Sequence, residues 1–397
     1  MKRHYKVLIV GGGTAGITVG ARLLRKLKVL RGEIAIIDPS DHHDYQPLWT
    51  LAGAGVVEKT KARRDMSSVM PTGADWIKKT VQSFDPEKNS LITSDQNRLT
   101  YDYLVVAPGI QLNWEGVKGL TETLGKHHVC SNYSYEHVDY TWETIQNFKG
   151  GNAIFTHPNT PVKCGGAPQK IMYLAEEAFE SAGIRSQTNV IFESANQAIF
   201  DVPKYRKVLE KVLQRKNIQA YFRRHLMEVD GEKKEAVFED LETGKLISRS
   251  FDMLHVCPPM EAPTFIKNSL LADHSGYINV DKHTLQHVHY SNIFGLGDAS
   301  HLPTSKTGAA IRKQAPVVAE NIISLMRGNP LSAKYDGYTS CPVVTGYNKV
   351  VLAEFDYDKR PRETMPFNQA VERRSMYFLK KDLLPIIYWK GMLKGIM

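Results

Sequence analysis

The residues of this chain best equipped for chemistry are its four cysteines, Cys130, Cys164, Cys257 and Cys341. No two of them form a CxxC pair, so the spacing indicates neither a thioredoxin-like dithiol nor a zinc knuckle, and no metal site is expected. A lone cysteine is ordinarily a small buried hydrophobe. Cys164 departs from that expectation. It follows Lys163 and precedes Gly165-Gly166-Ala167-Pro168, where Pro168 suits the first turn of a helix. A thiol just before a helix N-terminus and next to a lysine is held toward the thiolate, and Lys170 adds positive charge further along. Cys341 sits in Tyr338-Thr-Ser-Cys-Pro342, and sequence distance alone does not pair it with Cys164. Cys130 reads as a structural or incidental thiol. Cys257, before Pro258-Pro259, reads as a buried one.

The second chemical feature is a glycine turn. Lys6–Val10 is a continuous apolar run, as in a buried parallel strand, and Gly11, Gly13 and Gly16 follow in GxGxxG spacing. The first glycine permits the tight turn. The second admits a pyrophosphate, and the third lets helix pack on strand. Thr14 and Ala15 complete the turn, and a second strand over 33–37 ends on Asp38, placed for ribose hydroxyls. This pattern binds a dinucleotide without saying which. Leu104–Ala107 leads into Pro108-Gly109, and the apolar run Ile293–Leu296 leads into Gly297-Asp298. The latter reads as an acid for a ribityl hydroxyl, followed by a helix over 299–315 aimed at a flavin. Ala107, Pro108, Gly109, Gly297 and Asp298 therefore join the cofactor-binding candidates, and the set favours FAD.

These sites need elements to carry them. With 397 residues, the length suggests two to three domains, and 42% hydrophobic residues suffice for ordinary cores. Four cysteines cannot form a disulfide framework. No apolar run approaches the roughly 18 residues that span a bilayer. Met1-Lys-Arg-His-Tyr leads directly into a strand and does not read as a signal peptide. The net charge of +9 is compatible with nucleic acid, a membrane surface or an anionic substrate.

A second α/β unit is expected from strand 153–156, helix 167–182 and strand 190–192. Its first turn is His157–Gly166, which contains Pro158 and Pro161 and no GxGxxG. It reads as a Rossmann-type domain without a nicotinamide site, so the electron donor is not NAD(P)H. The expected fold class is α/β, with two Rossmann-type, doubly wound domains and a C-terminal amphipathic helical segment. Residues 1–115 and 280–330 form the FAD domain, 116–279 the second domain, and 331–397 a quinone- and membrane-binding region. Residues 366–397 hold six Lys/Arg against two acids, with Phe378, Trp389 and many aliphatic residues. Pro385 is expected to separate two helices there. Short basic helices with interfacial aromatics suit an in-plane membrane anchor, and equally a C-terminal helix packed on the body with its lysines as a solvated rim; a quinone substrate would favour the anchor. The basic residues are not interleaved with a nucleic-acid module.

Across nearly the whole chain these segments resemble a known family. The order of glycine turn, Asp38, 107–109 and Gly297-Asp298 resembles the flavoprotein disulfide reductases. Pro161-Val-Lys-Cys-Gly-Gly-Ala-Pro-Gln-Lys170 and Tyr335-Asp-Gly-Tyr-Thr-Ser-Cys-Pro-Val-Val-Thr-Gly-Tyr347 closely resemble sulfide:quinone oxidoreductases of the two-cysteine, mitochondrial-like type. Leu302-Pro-Thr-Ser-Lys-Thr307 and Leu352-Ala-Glu-Phe-Asp356 extend the likeness. The resemblance implies that Cys164 and Cys341 form a redox pair beside FAD. Sulfide attacks this disulfide, one cysteine becomes a persulfide, and electrons pass through FAD to a membrane quinone, ubiquinone or menaquinone. The sulfur leaves on a second acceptor. The matching Leu302–Thr307 segment puts Lys306 with the cofactor. Tyr347, Phe355 and Phe378 are candidate walls of a quinone path, Lys380 is equally a neighbour of the quinone headgroup or a surface lysine, and Trp389 reads as an interfacial anchor. Which cysteine is attacked first is left open, with Cys341 taken as persulfide carrier and Cys164 as the flavin-facing sulfur. A bacterial cytoplasmic membrane surface is the expected location, a mitochondrial inner membrane the alternative. Self-association into a homo-oligomer is left open. Rival readings are a type II NADH:quinone oxidoreductase, a flavin-bearing interaction protein with an NADH-driven redox state, and a sulfide dehydrogenase feeding a cytochrome. The first two need a working nicotinamide turn, and the last leaves the basic amphipathic tail unexplained.

Overall fold

The computed structural model describes residues 2–397. Continuous apolar runs build its first sheet from β1 (His4–Val10), β2 (Ile34–Ile37), β3 (Ala74–Ile77), β4 (Val81–Asp85), β5 (Ser90–Thr93) and β6 (Arg98–Val106), in the order β3-β2-β1-β6-β5-β4. The strands β3, β2, β1 and β6 run parallel. Val7 sits opposite both Ile34 and Tyr103, and all of β2 is buried. Helix α1 (Thr14–Lys26) crosses from β1 to cover one face, with Ile17, Val19, Leu23 and Leu24 turned inward. Such burial on both faces explains the unbroken apolar runs.

The second sheet takes β7 (Val129–Cys130), β8 (Gly151–His157), β9 (Thr188–Ser194), β10 (Gln219–Phe222) and β11 (Met253–His255), in the order β7-β11-β8-β9-β10, all parallel. Helices α2 (Val138–Asn147), α3 (Ala167–Ser181) and α4 (Pro203–Arg215) belong to this half. Where a dinucleotide turn would join β8 to α3, the chain instead runs through 158–166, and Cys164 adopts a left-handed φ of +65°. Glu193, near the end of β9, is buried against Arg249, and burial pushes its carboxyl up to about 7.

Crossing points lie at a two-stranded ribbon, Gln111–Leu112 with Met260–Glu261. The return to the first half comes earlier than residue 280. Phe265 already packs against Phe84 of β4, and Ile278 bridges Ser300. β12 (Ile293–Gly295) then pairs with β6, which sets Gly297 beside the Gly11 turn. The helix expected over 299–315 begins later, as α5 (Gly308–Met326). Gly297–Ala299 is only a short turn, and Thr307 caps α5 by accepting from the Ala310 N–H.

β13 (Thr339–Gly346) and β14 (Lys349–Phe355) form an antiparallel hairpin packed on α3, with Cys341 opposite Ala353. The C-terminal segment is one helical run over 374–392 rather than two helices parted at Pro385. Pro385 sits between two wider, π-wound stretches, Leu379–Leu383 and Ile387–Met392. That local widening accommodates a ring that lacks an N–H and would clash with an ordinary turn. No helix among the described residues is long and apolar enough to cross a membrane.

Candidate active site

Cys164 and Cys341 come together from different segments. The loop after β8 delivers Cys164 to the N-terminus of α3, and β13 delivers Cys341 alongside. Their Sγ atoms are 3.5 Å apart. The left-handed turn at Cys164 is held at both ends. Its N–H donates to the Lys306 carbonyl at 2.8 Å, and its own carbonyl accepts from Ala167 at 2.8 Å. Gly166 is required by this approach, because a Cβ there would lie 2.5 Å from the Cys341 sulfur.

Two buried lysines surround the pair. Lys170, one helical turn inside α3, donates to Cys164 Sγ at 3.0 Å. Burial opposes its charge, yet attraction to the two sulfurs outweighs burial and raises its pKa. The Cys164 thiol is held well below the ordinary range, chiefly by a hydrogen bond from Cys341 and, against burial, by Lys170. Cys341 is correspondingly pushed up by its bond to Cys164 and by burial. Lys380 comes from the C-terminal helix, is 4% exposed, and donates to the Pro47 carbonyl at 3.0 Å. Burial, with repulsion from Lys170, lowers its pKa to about 8, and the two sulfurs pull the other way. The sequence offered Lys380 either to a quinone headgroup or to the surface. It is buried rather than a surface lysine, and the cysteine sulfurs favour its charged form. Only the folded position of a residue over 200 positions from Cys164 reveals this.

The dinucleotide candidates converge beside this centre. Gly11 has φ +104°, and a Cβ there would lie 2.4 Å from the Ala107 carbonyl oxygen and 2.7 Å from Pro108 Cα. Gly16 packs against the Gly11 carbonyl, and Gly109 has φ +84°. Asp38 accepts from the Gly12 N–H at 2.6 Å and from Ser40 at 2.9 Å, and burial raises its pKa despite these bonds. Space lies open over Gly13, where a Cβ would meet nothing within 4 Å. Gly297 donates to Gln314 at 2.9 Å. Among the described residues no donor reaches the Asp298 carboxylate oxygens, which line a small cavity with Ser300, Lys306 and Gln314. A glycine cradle with open space and a carboxylate awaiting hydroxyl donors fit a flavin dinucleotide. Lys306 donates to the Asp298 and Ser300 carbonyls, at 2.6 and 3.1 Å, so it braces this turn. Lys163 donates to the Tyr133 carbonyl and lies over the Trp49 ring. Burial lowers its pKa to about 8, opposed by Asp298.

The quinone and lipid candidates do not form one cluster. Tyr347 donates to the Ala54 carbonyl at 3.0 Å. Phe355 lies at the other end of the hairpin, buried edge-on to Phe200. Phe378 is 54% exposed. Trp389, expected as an interfacial anchor, is buried against His43 and Tyr45, with Arg64 over its ring. Cys130 and Cys257 are buried, and burial raises both thiols to about 12.

The fold and this cysteine–dinucleotide arrangement define a flavoprotein-type reductase, and residues 5–146 match the pyridine nucleotide-disulphide oxidoreductase family. The mitochondrial sulfide:quinone oxidoreductase of Mus musculus is 47% identical over 395 residues, covering 99% of this chain and 87% of that protein. Its namesake in Dictyostelium discoideum is 48% identical over 397 residues, covering 100% and 87%. The chain belongs to the sulfide:quinone oxidoreductase family. The crystal structure of the Aquifex aeolicus sulfide:quinone oxidoreductase superposes with a TM-score of 0.85 at 21% identity, covering 100% of this chain and 92% of that one, which is a likeness of fold.

Proposed function

We infer that this protein oxidises sulfide at the Cys164–Cys341 pair and passes the electrons through FAD to a membrane quinone. The observation that carries this reading is the 3.5 Å approach of the two sulfurs beside two buried lysines. The family membership supports the substrates.

The cycle starts from the oxidised pair. Hydrosulfide attacks the Cys341 sulfur, a new S–S bond forms, and the bond to Cys164 breaks. Cys341 then carries a persulfide, and Cys164 leaves as a thiolate. Lys170, at 3.0 Å, stabilises that leaving group, and Lys380 adds charge that draws the anion in. The tie from Cys164 through Lys306 to the Asp298 turn favours Cys164 as the flavin-facing sulfur. A second nucleophile takes the outer persulfide sulfur and leaves Cys341 reduced. Re-forming the disulfide releases two electrons and a proton, so each turn oxidises one sulfide to acceptor-bound sulfur. Gly11, Gly13, Thr14, Ala15, Gly16, Asp38, Ala107–Gly109, Gly297 and Asp298 would hold FAD, which supplies the two-electron relay between sulfur and quinone.

The C-terminal helix exposes Phe378, Leu383 and Ile386 at 54, 39 and 52%, with Arg374 and Lys390 beside them. An apolar strip with basic neighbours suits in-plane contact with an anionic bilayer, where an isoprenoid quinone resides. The relatives are named mitochondrial, which supports the mitochondrial alternative, and the bacterial surface expected from the sequence has no such support. Anaerobic addition of sulfide should bleach the flavin absorbance of the purified protein, and NADH should leave it unchanged. Bleaching by NADH alone would refute this function.

A further inference from the structure

The C-terminal helix reaches back to the glycine turn. The Tyr388 hydroxyl lies 2.8 Å from Thr14 Oγ1 and 2.5 Å from His43 Nε2, and His43 Nδ1 lies 2.9 Å from the Gly12 carbonyl oxygen. Thr14 and Gly12 both belong to the Gly11–Gly16 turn, while Tyr388 is 374 residues from Thr14. Two of these side chains are withdrawn from water, and Thr14 is half-buried. His43 is 3% exposed and Tyr388 4%, and Tyr388 stacks on Tyr45 with ring centroids 4.3 Å apart.

The direction of the chain follows from chemistry. A carbonyl only accepts, so His43 Nδ1 carries the proton that binds Gly12. Burial keeps the imidazole neutral, so Nε2 accepts from the Tyr388 hydroxyl. The Tyr388 oxygen in turn accepts from Thr14. Thr14, Tyr388, His43 and Gly12 thus form one directed series that closes on both sides of Gly13. The chain end adds a mechanical contact. A Cβ at Gly395 would lie 2.7 Å from the backbone of Ala21 and Arg22 in α1, so the terminus rests directly on the helix that follows the turn.

We propose that Tyr388 is a positioning residue for the dinucleotide: its hydroxyl, joining Thr14 to His43, holds the Gly11–Gly16 turn in the shape that receives the pyrophosphate. The affinity for FAD is therefore set in part by the C-terminal helix, which also carries Lys380 to the sulfur pair. This inference rests on the reading that the turn binds FAD. The two fail differently, because wild-type protein without bound flavin would refute the reading itself.

The test is the rate of FAD release from holoenzyme, followed by the rise in flavin fluorescence on dilution. Tyr388→Phe keeps the ring and deletes the link. It should release FAD about tenfold faster than wild type, the loss expected of one buried hydrogen-bonded hydroxyl, with the unfolding midpoint of the flavin-free protein unchanged. Tyr45→Phe, in the same aromatic stack but without a bond to the turn, should release FAD at the wild-type rate. Equal release from Tyr388→Phe and wild type would overturn the proposal. So would a faster release matched by an equally lowered midpoint of the flavin-free protein. Should the phenylalanine variant not accumulate, His43→Phe breaks the same series at its next member and is read against the same two outcomes.

Discussion

The sulfurs of Cys164 and Cys341, 177 residues apart in sequence, sit 3.5 Å apart in the fold. The proposed cycle needs both: one to carry sulfur and the other to leave as thiolate. Cys164→Ser and Cys341→Ser should each lower sulfide-dependent quinone reduction by about a thousandfold or more, the scale of losing a nucleophile. Both should keep full flavin absorbance. Steady-state kinetics with a soluble quinone analogue checks this, and an active single variant would remove that cysteine from the cycle.

Thiol reactivity should separate the four cysteines. The bond from Cys341, reinforced by Lys170, holds Cys164 well below the usual thiol range, so its thiolate persists as pH falls below about 8.5. Cys130 and Cys257, at about 12, stay protonated there. In reduced protein at about pH 6, iodoacetamide should therefore modify Cys164 first. Peptide mass spectrometry reads the order, and Lys170→Met should slow labelling at Cys164.

Gly166 is a steric requirement rather than a flexible joint. Gly166→Ala would place a methyl group 2.5 Å from the Cys341 sulfur. Overpacking of this kind costs about 1–3 kcal/mol, and here it would fall on the distance between the sulfurs. The variant should lower the unfolding midpoint and lose most sulfide oxidation while keeping its flavin.

The proposed membrane attachment is tested by surface substitutions. Removing 366–397 would also take away Lys380, whose charged form the cysteine sulfurs favour, and Tyr388, which bonds to the glycine turn. Phe378→Ser, Leu383→Ser and Ile386→Ser together change only exposed side chains. Exposing rather than burying each of these groups forfeits roughly 1.5–3 kcal/mol, so binding to anionic vesicles should fall by at least tenfold in a flotation assay. Sulfide should still bleach the flavin.

Local chemistry was legible in the sequence wherever a few consecutive residues define it. The Gly11–Gly16 turn, the lysine-flanked Cys164 before a helix, and the departure from GxGxxG after β8 all rest on contiguous residues. Pairing Cys164 with Cys341 required resemblance, because their meeting depends on how the β13–β14 hairpin packs on α3. Lys380 was legible only as a quinone-headgroup or surface lysine, and nothing in the sequence tied Tyr388 to the glycine turn. Their neighbours in sequence form a plain amphipathic pattern, and only docking of the helix turns one into a buried charge and the other into a hydrogen-bond link. Trp389 was misread for the same reason, since an aromatic beside lysines looks interfacial until the body covers it. The late start of α5 reflects tertiary anchoring, with Lys306 spending its ammonium on the Asp298 and Ser300 carbonyls before the helix begins.

The central claim is that electrons enter from sulfide through the cysteine pair and leave to quinone. Its most direct measurement is reduction of a soluble quinone analogue by purified holoenzyme, with sulfide or NADH as donor, repeated across candidate sulfur acceptors. Quinone reduction should require sulfide, rise with a competent acceptor, and vanish in Cys164→Ser and Cys341→Ser. Reduction driven by NADH and indifferent to both cysteines would contradict the account.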